Sequence, residues 1–79
     1  MKMRCPCCGF KTLNQEDELY FEICPVCFWE NDPIQNNNAN YSGGANSISL
    51  FEAKKNFKKF GAILEEYVSL TRKPYDTEK

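Results

Sequence analysis

The sequence predicts a small α+β domain held together by a metal ion. The expected architecture is a β-hairpin carrying two Cys-Pro-x-Cys knuckles, followed by a C-terminal helix kinked or split at Gly61. Three observations carry this. Cys5, Cys8, Cys24 and Cys27 recur as two CPxC pairs, and short aromatic and apolar runs flank a polar stretch between them. The C-terminal half then shows apolar residues at helical spacing behind a capping signal.

The cysteines decide most. Their spacing, C-x2-C-x15-C-x2-C, lies within the range of zinc sites. Two residues between paired cysteines let one tight turn aim both sulfurs at a point. Two such turns supply four thiolates to a tetrahedral Zn²⁺. Pro6 and Pro25 follow the first cysteine of each pair and fix φ where the turn begins. Gly9 follows Cys8, where a residue able to take positive φ is useful. Buried small apolar residues, two local disulfides or a redox Cys-x-x-Cys centre are the competing readings. Packing alone does not ask for paired CPxC turns, and a redox centre needs one pair. Five cysteines are also an awkward number for a disulfide framework.

One Zn²⁺ is therefore the expected cofactor. Four thiolates also accept iron, in which case Phe10, Tyr20, Phe28 and Trp29 would form the dry shell of a rubredoxin-like electron carrier. An ordinary aromatic core is the preferred role for them. The chain has no His, and four thiolates leave no open position for water, so catalytic zinc is disfavoured and the chain reads as a non-enzyme. Cys7 is the surplus thiol. The symmetry with Cys24-Pro25-Val26-Cys27 favours Cys8 as ligand, leaving Cys7 free at the turn's tip. There it is either a tolerated small residue or an exposed reactive thiol.

A chain of 79 residues makes one domain, whose core supplies only about 3–5 kcal/mol, so a staple is expected. The single domain 1–79 divides into a metal-binding hairpin (1–33), an Asn- and Gly-rich loop (34–46), a helical part (47–73) and a frayed tail (74–79). Residues 10–13 and 19–23 are the expected strands, joined by a turn at 14–17, so that the hairpin links the two cysteine pairs. In the helical part, Ser49 and Glu52 fit a capping box. Leu50, Ala53, Phe57, Phe60, Leu64 and Tyr67 follow as an apolar stripe, with Lys54, Lys55, Lys58 and Lys59 on the opposite side. Gly61 costs roughly 1 kcal/mol inside a helix. The expectation is a firm helix over 50–60, then a kink or a second short helix to about 70, ended by Pro74.

No secretory signal and no membrane-length apolar run is visible, which points to the cytoplasm, where thiols stay reduced. The net charge of −1 is unevenly spread: residues 14–40 carry Glu16, Asp17, Glu18, Glu22, Glu30 and Asp32 without a base.

The run Cys5-Pro6-Cys7-Cys8-Gly9, with Tyr20-Phe21-Glu22-Ile23-Cys24-Pro25-Val26-Cys27-Phe28-Trp29-Glu30-Asn31-Asp32-Pro33, resembles the small bacterial cysteine-rich CPCC proteins. Gly43-Gly44-Ala45-Asn46, Ser49-Leu50, Asn56-Phe57, Phe60-Gly61-Ala62 and Arg72-Lys73-Pro74 extend the resemblance over nearly the whole chain. It implies a stand-alone bacterial protein with a zinc-ribbon-like metal site, and it implies no particular activity.

Three functions compete. The first is a zinc-clipped module for protein–protein interaction, with Trp29, Glu30 and Asp32 as candidate surface and residues 14–32 steering basic partners. A Trp29 packed under the helix is the preferred alternative for that side chain. The second is nucleic-acid binding through Lys54, Lys55, Lys58 and Lys59, joined by Arg72 and Lys73; a pI near 5.4 disfavours it. The third, enzymatic or redox work through Cys7 or iron, finds no Ser/His/Asp set and no phosphate-binding loop, and Glu16, Glu18 and Glu22 show no sign of pairing.

Overall fold

A computed structural model describes residues 2–14 and 22–79. Strand β1 (Lys2–Arg4) pairs antiparallel with β2 (Lys11–Asn14), placing Lys2 opposite Asn14, Met3 opposite Leu13 and Arg4 opposite Lys11. The hairpin therefore closes over the first knuckle. It does not span from one knuckle to the other, as the sequence reading expected. The reason is local: Cys5 N–H donates to Phe10 O at 2.9 Å and Gly9 N–H to Cys5 O at 2.8 Å, so the chain reverses within the CPCCG turn itself. Of the second expected strand, residues 19–21 lie outside the described residues. Ile23 makes a single antiparallel bridge to Glu30 across the second knuckle. Each knuckle thus sits at the tip of its own reversal.

Between Met3 and Arg4 the register shifts, which makes Thr12 the extra residue of a bulge. Strand alternation would send Thr12 and Leu13 to opposite faces. The bulge turns both inward, and both are buried.

The Asn-rich segment is more ordered than a loop reading implies. Asp32 caps helix α1 (Pro33–Asn37), accepting from Ile34 N–H at 2.9 Å and Gln35 N–H at 3.3 Å, with Pro33 in the first turn where its missing N–H costs nothing. The other Asp32 oxygen accepts from Ala45 N–H at 2.8 Å and draws the far end of the segment back. Gln35, fully buried, donates to the carbonyls of Tyr41, Asn46 and Ile48 and accepts from the backbone and side chain of Asn46. Asn46 in turn accepts from Glu30 N–H and donates to Glu30 O, as a neighbouring strand would. The segment folds because its buried polar groups satisfy one another.

Helix α2 (Leu50–Phe60) matches its expected bounds. Ser49 Oγ accepts from Glu52 N–H at 3.2 Å, and Leu50 and Ala53 are buried. Gly61 ends it in the left-handed region (φ 89°), its N–H returning to Phe57 O at 2.8 Å. The helix is split there, not kinked. A 3₁₀ segment, Glu65–Leu70, follows, and Leu64 and Tyr67 still reach the core.

The tail is docked, contrary to the frayed end expected from the sequence. A 3₁₀ turn (Asp76–Glu78) brings Glu78 onto Arg72 in a two-pronged pair, 2.9 Å at each oxygen, while Tyr75 N–H donates to the same carboxylate at 2.8 Å. Arg72 also stacks 3.8 Å over the Tyr75 ring. No described helix is long and apolar enough to cross a membrane.

Candidate metal centre

The two knuckles face each other as near-copies. In the first, Cys5 N–H reaches Phe10 O (2.9 Å) and Gly9 N–H reaches Cys5 O (2.8 Å). In the second, Cys24 N–H reaches Trp29 O (2.9 Å) and Phe28 N–H reaches Cys24 O (2.8 Å). The equivalent fifth positions, Gly9 and Phe28, both have positive φ, 80° and 74°. The turn geometry brings the two sulfurs of each knuckle to one side.

The four sulfurs expected as ligands, Cys5, Cys8, Cys24 and Cys27, lie within 4.8 Å of one another. Across the knuckles, Cys5 Sγ is 3.6 Å from Cys27 Sγ and Cys8 Sγ is 3.7 Å from Cys24 Sγ. A tetrahedron of sulfurs about 2.3 Å from a central zinc has edges of about 3.8 Å, so the spacing fits. Cys5, Cys24 and Cys27 are buried and Cys8 half-buried, which leaves the fourth ligand facing outward. Burial and crowding set the charge. Cys5 and Cys27 are pushed well above the usual thiol range, each first by its hydrogen bond to Cys24. Cys24 is pushed far down, first by the hydrogen bond from Cys27, then by that from Cys5. Sulfurs this close share their protons, Cys8 being lowered along with Cys24, and a divalent cation is what lets all four ionise.

Outer groups fix the sulfurs. Trp29 N–H lies 3.4 Å from Cys27 Sγ, and Phe10 N–H points at Cys8 Sγ in the equivalent place. The Thr12 hydroxyl lies 3.0 Å from Cys24 Sγ, where it donates to the thiolate. With this centre and fold in hand, residues 3–78 match the family described as Cysteine-rich CPCC. The chain belongs to that family. Comparison with curated proteins returns no match.

Several expected site residues of this CPCC chain have other places. Cys7 is 8% exposed, so it is a buried thiol packed among the core residues and not an open, reactive one. Trp29 is fully buried, its Nε1–H donating to Asn36 Oδ1 at 2.9 Å, and cannot anchor a partner. Asp32 is spent on capping, and Glu22 accepts from Asn14 N–H at 2.7 Å, so two acids of the 14–32 stretch work inside the fold. Glu16, Asp17 and Glu18 lie outside the described residues. Lys54, Lys55, Lys58 and Lys59 are exposed on α2, Lys55 standing 4.0 Å from Glu52. Arg72 is bound to Glu78 and does not join a phosphate-binding row. Sequence reasoning missed Thr12, and it named Phe28 only as a shell or core aromatic, not as the positive-φ residue of the second knuckle. The first has a faint signal, a polar residue beside Leu13 that breaks alternation. The second is visible only by aligning the two knuckles and finding Phe28 where the first has Gly9.

Proposed function

We propose that this chain is a small zinc-binding module in which one Zn²⁺, held by Cys5, Cys8, Cys24 and Cys27, clips two knuckles together. The fold so formed presents a surface to another protein in a reducing compartment such as the cytoplasm. The observation that carries the reading is the four-sulfur cluster with edges of 3.6 and 3.7 Å. A closed set of four thiolates offers no coordination site to a substrate, which favours structure over catalysis. Exposed Val68, Leu70 and Tyr75 on the C-terminal segment supply apolar surface. Native mass spectrometry tests the reading: one zinc per chain, with four protons displaced, is expected. A folded, metal-free chain overturns it. A red protein with thiolate-to-iron absorption replaces the clip with an electron carrier.

A further inference from the structure

We propose that the α2 face carrying Lys54, Phe57, Lys58 and Gly61 is one wall of a groove that docks an acidic peptide segment bearing bulky apolar side chains. This rests on the interaction-module reading and names the partner's chemistry. Lys54, Phe57 and Lys58 follow i, i+3 and i+4, so the two lysines flank Phe57 and do not stand opposite it as the apolar stripe implied, and Gly61 follows at the end of α2. Two cavities meet at Phe57. One, about 320 Å³, has Val26 in its lining, with Phe60, Val68 and Pro74 around it. The other, about 410 Å³, lies between α2 and the first knuckle at Pro6 and Gly9. Each is large enough for a bulky side chain, at the lower end of the roughly 300–1,000 Å³ of ligand pockets.

The charged side chains that α2 and the tail bring to them are cations, and the half-buried Cys8 borders the second. Lys54 and Lys58 line the second cavity, Lys73 and Arg72 line the first, and no carboxylate lines either. Arg72 is neutralised by Glu78. Among the described residues, Lys54, Lys58 and Lys73 enter no ion pair. A chain with pI near 5.4 thus gathers cations around its apolar hollows. Acidic groups flanking apolar anchors complement that pattern. Nucleic acid fits less well, because the chain's pI is near 5.4, far below the value of about 9 typical of nucleic-acid-binding domains, and Arg72 is held by Glu78.

The test is fluorescence anisotropy with a labelled peptide of about twelve residues, Leu and Phe at helical i, i+3 and i+7 spacing and Asp or Glu elsewhere. The partner is the zinc-loaded full chain, with native mass spectrometry on every sample. Saturable binding that weakens with salt is expected. Val68→Asp should reduce affinity at least about tenfold by placing a charge in the hollow. Lys54→Glu with Lys73→Glu should reduce it about three- to tenfold while retaining zinc. A peptide with Lys in place of the acids should bind at least about tenfold more weakly. The groove is overturned if the zinc-loaded chain ignores the acidic peptide, or if Val68→Asp binds it unchanged. It is equally overturned if a poly-dT oligonucleotide binds the same face in preference, or if self-association of the chain occupies it. These outcomes leave the zinc clip standing. A folded chain without zinc overturns the clip itself, whatever the peptide does.

Discussion

The first knuckle and the second share a chain pattern, a hydrogen-bond pattern and a candidate metal site, yet they do different work. Around the first, β1 and β2 close a short hairpin, Cys8 is half-buried, and Pro6 and Gly9 border an open hollow. Around the second, the C-terminal part of the chain is tied down by backbone. Ile63 N–H donates to Cys27 O at 2.9 Å and Arg72 N–H to Pro25 O at 3.1 Å, while Phe28 packs on Tyr67 with ring centroids 4.5 Å apart. Asn46 pairs with Glu30 on the other flank. Nearly identical turns are thus a rim in one case and a hub in the other. What separates them is the outward-facing backbone and side chains, since the sulfur geometry is the same.

The comparison breaks most completely at the sulfurs. Cys24→Ser removes a fully buried ligand that also takes the Thr12 hydroxyl, at the knuckle to which the C-terminal half is bound. Structural zinc contributes on the order of 10–16 kcal/mol in small metal domains, far more than a core of this size. Loss of near-UV circular dichroism and of zinc is the expected result, and a chelator should do the same to wild type. Cys8→Ser, at the half-buried position of the rim knuckle, should retain a three-thiolate site with weaker zinc retention in chelator competition. Equal losses in the two variants would mean that the rim and the hub do not differ.

Next in size is the polar core beside the hub. Gln35→Leu keeps bulk but strips partners from the Tyr41, Asn46 and Ile48 carbonyls and from the Asn46 amides. Each buried polar group left unpaired costs about 1–3 kcal/mol, so a loss of about 3 kcal/mol or more is expected in chemical denaturation of the zinc-loaded protein. Amide exchange should rise first at Glu30 and Asn46. A loss under about 1 kcal/mol would show the segment to be an independent loop, as its composition alone suggests.

That contrast also marks what the sequence could tell. The four-sulfur cluster was legible because ligand chemistry demands specific residue types at short spacing, and α2 because its cap, stripe and terminal Gly61 are all local. The hairpin's partner was not, since the turn that pairs β1 with β2 is the metal knuckle itself, and the polar run 14–17 offered a competing turn. Gln35 and Asn46 are eleven positions apart and look like any solvated amides until the fold buries them. Arg72 and Glu78 close a loop through side chains alone, a pairing that leaves no periodicity to read. Trp29 carried a double meaning, anchor or core, which only burial decides.

Smaller, and more diagnostic of the two knuckles, is the exchange of their fifth residues. Phe28 holds φ 74°, a conformation that costs a side-chain-bearing residue about 1–2 kcal/mol relative to Gly. Its ring contact with Tyr67 opposes that cost, at about 0.5–1.5 kcal/mol beyond the area covered. The two nearly cancel, so Phe28→Gly should shift stability by under about 1 kcal/mol in wild type and should stabilise by about 1–2 kcal/mol when Tyr67→Ala has already removed the ring contact. Gly9→Ala meets no atom within 4 Å of its new Cβ, so its cost of about 1 kcal/mol is backbone alone. A double-mutant cycle by denaturant titration reads the coupling. Additivity between positions 28 and 67 would remove the ring contact as the reason Phe28 is tolerated.

The least expected effect lies where the tail closes over the hub. Arg72 holds the Glu78 carboxyl down to about 2 from its ordinary 4.5, helped by the Tyr75 N–H. A depressed carboxyl stabilises the folded chain fully above its ordinary value, and the contribution fades as pH falls through 4.5 toward 2. Glu78 is largely covered while Arg72 is half-buried, so solvent and salt still moderate the effect. Glu78→Gln removes it at every pH. The difference in amide protection over residues 71–79 between wild type and the variant should be constant from pH 7 to about 5.5, then shrink on acidification. Taking the difference subtracts the acid sensitivity of the thiolates, which both proteins share. A difference near zero at every pH would mean that the tail is held by the Arg72–Tyr75 stack and not by the carboxylate.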